Sequence, residues 1–215
     1  MIRVLVVDDH KLVRIGTTRL LADEPSLEII GEASSGEEAV IAVQELQPDL
    51  VLMDVNMPGI GGLEATRRCL RVNPDLKVII VTMHNREPYP SQFMTIGAHG
   101  YLTKGADFTE MVRAIKKVMA GQRYLSDEIA QDLALRPFDH SNECPFSRLS
   151  GREMQIALMV TKGVPVPEIS IALSLSPKTV NSYRYRIFDK LSVHNDVSLT
   201  KLAIKHHIID SEAVV

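Results

Sequence analysis

The sequence predicts two folds in series: an α/β unit on a five-stranded, doubly wound parallel sheet, then a small all-α unit. Three observations predict this. Strand-like and helix-like patterns alternate over the first 120 residues, as in βα units joined by right-handed crossovers. The runs Val51–Met53 and Val78–Val81 are apolar without alternation, as strands covered on both faces are. From Phe146 onward only helical patterns remain.

In order, strands are expected at Ile2–Val7, Leu27–Glu32, Leu50–Asp54, Leu76–Thr82 and His99–Thr103. Helices are expected between them at about Lys11–Ala22, Gly36–Leu46, Gly62–Val72, Tyr89–Gly97 and Phe108–Ala120. After Gly121 the pattern weakens, although Ser126-Asp127-Glu128 could cap a short helix through Leu135. Arg136–Pro145 holds two prolines and no periodicity and reads as a linker. Ser150-Gly151-Arg152-Glu153 has capping-box spacing and opens a helix to about Lys162, with Gly163 as its stop. A short helix follows from Pro167 to Leu173. Ser176-Pro177 supplies an N-cap with proline at the first helical position, opening a helix to about Leu191. A last helix covers about Val197–His207. The division expected is residues 1–121, a connector at 122–145 that could hold a short helix, and 146–211.

Bulk properties narrow the function. Apolar residues make up 45% and charged residues 24%, ordinary globular usage. The two cysteines, Cys69 and Cys144, match no metal spacing and suit a reduced, cytoplasmic chain. No apolar stretch approaches the roughly 20 residues that span a bilayer, so no membrane partner is expected. Residues 146–215 hold nine Lys/Arg against six Asp/Glu, a net of +3, and the remainder 15 against 21, a net of -6. An acidic front and a basic back suggest different partners for the two parts.

Four strand-like runs each end in a polar group. Val4–Val7 ends in Asp8-Asp9, Leu50–Met53 in Asp54, Val78–Val81 in Thr82, and Gly100–Leu102 in Thr103-Lys104. In an open parallel sheet these ends form one edge, where ligands bind. Three acids, a hydroxyl and an ammonium gathered there suit Mg2+ and a phosphoryl group. Asp54 is the candidate nucleophile, since a carboxylate can form an acyl phosphate. Asp8, Asp9 and Asp54 would hold Mg2+, an ion that prefers oxygen ligands, and the backbone carbonyl of Asn56 could add one more. Lys104 and Thr82 would meet phosphoryl oxygens. Taken singly, Asp8-Asp9 is more often a turn or cap, Lys104 a solvated lysine and Thr82 structural; their joint order at strand ends points to a site.

Residues 1–120 resemble a two-component receiver domain, which has a flavodoxin-like fold. The matches are Val6-Val7-Asp8-Asp9-His10, Leu52-Met53-Asp54-Val55-Asn56-Met57-Pro58-Gly59, Thr82, and Gly100-Tyr101-Leu102-Thr103-Lys104. The resemblance implies phosphorylation of Asp54 by a histidine kinase, its phosphotransfer domain or a small phosphodonor. It implies a switch in which Thr82 moves toward the phosphoryl group and Tyr101 rotates inward, reshaping the surface of the fourth helix, fifth strand and fifth helix. For Tyr101 a plain core-edge aromatic is the alternative. Dehalogenase-like phosphatases also use an aspartate nucleophile, but need an acid two residues on. That position is Asn56, which cannot donate a proton in that role. Slow self-dephosphorylation is therefore expected, not turnover of an external substrate.

In Lys178–Leu191 the apolar positions Val180, Ile187 and Leu191 recur at helical spacing and face inward. The opposite face carries Lys178, Asn181, Ser182 and Tyr185, flanked by Arg184, Arg186 and Lys190. Helix, short helix, tight turn and helix form a helix-turn-helix pattern. Asn181, Ser182 and Tyr185 are candidates for reading bases, and Lys178, Thr179, Arg184, Arg186 and Lys190 for phosphates. A small helical interaction domain with a solvated basic face would share the spacing. Residues 148–209 resemble a LuxR-type helix-turn-helix, through Leu149-Ser150-Gly151-Arg152-Glu153, Glu168-Ile169-Ser170, Leu175-Ser176-Pro177-Lys178-Thr179-Val180 and Ile187-Phe188-Asp189-Lys190-Leu191. Pro165 and Pro167 depart from the polar residues usual there and remove backbone N–H groups that could meet phosphate.

The two resemblances together identify a NarL/FixJ-type response regulator, similar in detail to the GacA/UvrY/LetA group. Gly121-Gln122-Arg123-Tyr124 and Asn181-Ser182-Tyr183-Arg184-Tyr185-Arg186 are among the residues that carry this. The group implies a hybrid sensor kinase or phosphotransfer domain as partner and double-stranded DNA as target, including genes for small regulatory RNAs. It also implies a homodimer on phosphorylation, inverted-repeat half-sites, and RNA polymerase as a further partner. Two other classes stay open: a phosphorylation-gated protein-interaction module without DNA, and an aspartyl-phosphate enzyme acting on a metabolite.

Overall fold

Strands that are apolar on both faces need helices on both sides, and the computed structural model supplies them. It describes residues 1–83, 89–135, 144–206 and 208–209. The chain divides into two compact units, Met1–Asp139 and His140–Val215. In the first, strands and helices alternate: β1 (Ile2–Val7), α1 (Lys11–Ala22), β2 (Leu27–Ala33), α2 (Gly36–Leu46), β3 (Leu50–Met53), α3 (Gly61–Val72), β4 (Lys77–Thr82), α4 (Tyr89–Thr95), β5 (Gly100–Thr103), α5 (Phe108–Met119), β6 (Tyr124–Leu125) and α6 (Asp127–Leu135). The sheet order is β2-β1-β3-β4-β5-β6, and every pairing is parallel.

Val4, Val6, Leu50, Leu52, Ile79, Val81 and Leu102 meet Leu21 of α1 and Val112, Ile115 and Val118 of α5 in one core cluster. Each such side chain contributes about 1.5–3 kcal/mol on burial. α2 and α3 pack against each other. The pattern of α5, with Met111, Val112, Ala114, Ile115 and Val118 all buried, shows the i, i+3, i+4 spacing that docks a helix on a sheet.

Among the described residues the sheet has six strands, not the five expected. Tyr124–Leu125, assigned from sequence to the connector, pairs with Gly100–Tyr101. Two residues carry no periodicity, so this strand leaves no sequence signal. Tyr124 N–H donates to His99 O at 3.1 Å and Ser126 N–H to Tyr101 O at 3.1 Å. Tyr124 is buried and donates its hydroxyl to Glu110. Residues 122–135 thus continue the first unit. Most of the expected linker, residues 136–143, lies outside the described residues, as does His207 at the end of the last expected helix.

The second unit is helical: a 3-10 turn at Pro145–Arg148, then α7 (Gly151–Thr161), α8 (Val166–Leu173), α9 (Pro177–Leu191) and α10 (Asp196–Lys205). Ser150 and Glu153 form the expected capping box. Ser176 caps α9, accepting from Thr179 N–H at 3.1 Å. Phe146, Met154, Ile156, Ile169, Val180, Ile187 and Leu199 are all buried and form the core. α8 ends at Ser174, whose φ of 53° turns the chain sharply toward α9. Among the described residues no helix is long and apolar enough to cross a membrane.

Candidate functional site

β1 and β3 are neighbours although they are not consecutive, so the chain reverses its winding between them. Register places Val7 beside Met53, and Asp54 N–H donates to Val7 O at 2.9 Å. Asp8 and Asp54 therefore emerge together. On the other side Thr82 pairs with Thr103, and Lys104 N–H donates to Thr82 O at 2.8 Å. The sheet thus delivers all four expected groups to one edge.

Their side chains converge. Lys104 Nζ lies 2.7 Å from Asp8 Oδ2 and 3.0 Å from Asp54 Oδ2. Asp54 Oδ1 accepts from Val55 N–H at 2.7 Å, and Asp8 Oδ1 accepts from His10 N–H at 2.8 Å. Asp54 is 2% exposed and Asp8 5%. Burial pushes the Asp54 carboxyl up; Lys104 opposes this and the nearby Asp8 charge adds to it. Burial pulls Lys104 down, but Asp8 and Asp54 outweigh it, so the ammonium is held above its ordinary value.

The cluster has the donor set of a hard divalent cation. Oxygen or nitrogen atoms of Asp8, Asp9, His10 and Asp54 lie within 4.8 Å of one another. Asp9 Oδ1 and Asp54 Oδ2 are buried without well-aligned hydrogen bonds, though His10 Nδ1 is 2.8 Å from the first and Lys104 Nζ 3.0 Å from the second. Three carboxylates with one ammonium leave negative charge that Mg2+ would neutralise, so the residues fit that ion. Asn56 is half-buried in the loop two residues past Asp54. Thr82 is 1% exposed. Tyr101 is fully buried and stands edge-on to Phe93, ring centroids 6.1 Å apart.

Sequence reasoning missed two supports of this edge. Glu37, in the first turn of α2, accepts from Ile60 N–H at 3.0 Å and so ties down the loop after Asp54. Nothing in sequence connects positions 37 and 60. Gly62 is the second: a Cβ there would stand 2.1 Å from the Asp54 carbonyl oxygen. The Gly61-Gly62 pair at the helix start was the available signal.

On α9, Lys178, Ser182, Tyr185 and Arg186 are exposed, and Thr179 and Asn181 half-buried. The Arg186 guanidinium lies over the Tyr183 ring at 5.5 Å. Ser182 Oγ donates to Lys178 O at 3.0 Å, and Thr179 Oγ1 bonds Ser176 Oγ at 2.8 Å. Two of the expected cationic phosphate contacts are paired with carboxylates of the same unit. Lys190 Nζ is 2.6 Å from Glu153 Oε2, and Arg184 Nη2 is 2.5 Å from Asp196 Oδ2. Burial pushes Glu153 up, but Lys190 and Ser150 outweigh it and hold the carboxyl below its usual range.

Comparison with known proteins finds a family match in each of the two units. Residues 4–116 match the response regulator receiver domain, and residues 147–203 match the luxR family of bacterial regulatory proteins. Response regulator GacA of Pseudomonas viridiflava is 58% identical over 214 residues, covering 99% of this chain and all of that one. Response regulator UvrY of Escherichia coli K12 is 53% identical over 215 residues, covering 100% and 99%. The crystal structure of a LuxR-family two-component response regulator from Aurantimonas sp. SI85-9A1 is 37% identical, covers 65% of this chain and 99% of that one, and superposes with a TM-score of 0.62. The chain belongs to the luxR-family response regulators of the GacA and UvrY kind, DNA-binding regulators of transcription that carry an N-terminal receiver domain.

Proposed function

We propose that Asp54 accepts a phosphoryl group from a hybrid sensor histidine kinase or its phosphotransfer domain, and that this promotes dimerisation and promoter binding through α9. The observation that carries the reading is the buried pair Asp8 and Asp54 bridged by Lys104 at 2.7 and 3.0 Å. An Asp54 oxygen attacks phosphorus in line, a new P–O bond forms, and the P–N bond of a donor phosphohistidine breaks with the electron pair leaving on the imidazole. Lys104 neutralises one phosphoryl oxygen and the Thr82 hydroxyl donates to another. Asp8, Asp9, Asp54 and the Asn56 carbonyl would hold Mg2+, which when bound would offset the charge that builds on the phosphoryl oxygens. With no acid two residues past Asp54, self-dephosphorylation is slow. Tyr101 acts as the switch aromatic behind Thr82.

The receiver function is assigned to residues 1–121 and DNA binding to 146–211. Lys178, Thr179 and Arg186 meet phosphates, and Asn181, Ser182 and Tyr185 meet base edges. The protein works in the cytoplasm, binds inverted half-sites as a homodimer, engages RNA polymerase there, and acts on promoters that include small regulatory RNA genes. The test is selection of genomic fragments by the purified chain, with and without Mg2+ and a small phosphodonor. A shared inverted repeat enriched only with phosphodonor is expected. Equal enrichment by Asp54→Ala with phosphodonor would overturn the reading.

A further inference from the structure

A clasp ties α9 to α10. Arg184 Nη1 donates to Asn181 Oδ1 at 2.8 Å, and Nη2 to Asp196 Oδ2 at 2.5 Å. The guanidinium carbon lies 5.8 Å from the centre of the Phe188 ring. The Arg184 side chain is only 24% exposed. Asp196 is the first residue of α10, where the helix dipole favours a carboxylate. Asn195 caps the same helix, its Oδ1 accepting from Ser198 N–H at 2.8 Å. The backbone that carries Asp196 is therefore set by the cap of α10.

We infer that Arg184, held by Asp196, sets the hydrogen-bonding polarity of Asn181 and so makes this asparagine a specificity-determining donor to guanine. The inference rests on the reading that α9 meets DNA. A guanidinium has donors and no acceptor. The Asn181 atom facing it must be the carbonyl oxygen, and the amide nitrogen is turned away. Adenine shows an acceptor and a donor in the major groove, which suits an asparagine with both ends available. Guanine shows two acceptors, N7 and O6, which suit an asparagine whose oxygen is already engaged. Arg184 is thus a positioning residue, and the charge that sequence alone assigns to phosphate is neutralised within the protein.

The experiment selects bound duplexes from a randomised pool with the full chain, Mg2+ and a small phosphodonor, for wild type, Asn181→Ala, Arg184→Gln and Asp196→Asn. Thermal melting checks that each variant folds. Wild type is expected to select guanine at one position per half-site that Asn181→Ala randomises. Arg184→Gln should shift that position toward adenine, with about a tenfold loss of affinity for the guanine site. Asp196→Asn should broaden it the same way, although it removes a negative charge. The salt dependence of Arg184→Gln should match wild type. Adenine selected by wild type would overturn the inference. So would Arg184→Gln keeping the base preference while its log–log salt slope falls by about 0.9, the mark of a lost phosphate contact. Wild type that binds no duplex would remove the DNA-reading function and this inference with it.

Discussion

At the scale of single residues, the sheet edge that gathers Asp8, Asp54 and Lys104 carries a cost that can be measured. The folded pKa of Asp54 lies above its unfolded value. Its favourable contribution is therefore complete below the unfolded pKa and is lost as pH rises through the folded one. At neutral pH the ionised carboxylate destabilises the fold. Asp54→Asn is expected to raise Tm at pH 7 without divalent cations, since Lys104 keeps Asp8 as a partner, and the gain should shrink as pH falls into the carboxylate range. Mg2+ should raise the Tm of wild type more than that of the variant. Gly62→Ala presses on backbone at 2.1 Å, so urea unfolding should show a loss of about 1–3 kcal/mol, with reduced labelling of Asp54 by phosphodonor. Asp8, Asp54, Thr82 and Lys104 were legible in sequence because parallel strands bring their carboxyl ends to one edge. Glu37, and the inward ties of Arg184 and Lys190, were not. Sequence gives a side chain's charge, but its partner comes from a helix 12 positions away for Arg184 and 37 away for Lys190.

At the scale of elements, caps and local patterns account for most boundaries. α9 begins where Ser176-Pro177 requires, and its span Pro177–Leu191 matches the expectation. Ser176→Ala should cost about 1 kcal/mol, read as a lower Tm of the second unit. α7 has a stronger lock, because Glu153 serves both the capping box and Lys190. Glu153 is buried while Lys190 reaches solvent, so Glu153→Gln should cost roughly 1–3 kcal/mol, measured by urea unfolding; no change would mean the ion pair contributes nothing net. β1, α1 and α2 also fall where periodicity put them. β6 did not, because its two residues are held by pairing with β5, more than 20 positions earlier, and by burial of Tyr124 beside Glu110 and Lys117 of α5.

At the scale of the whole molecule, two compact units with separate cores should unfold separately. Calorimetry of the full chain is expected to show two transitions, with Asp54→Asn moving one and Ser176→Ala the other. A single transition shifted by both would contradict that. The charge division read from sequence, drawn at residue 146, lies close to the boundary between the units, acidic before it and basic after it. The capture of Tyr124–Leu125 by β5 bears on how such units can be recombined. A gene fusion cut after Gly121 would strip the partner from the backbone of His99 and Tyr101 and leave β5 as an open edge. A transplant of this receiver onto another output module should therefore carry the chain through Leu135, and its soluble yield should exceed that of the shorter graft.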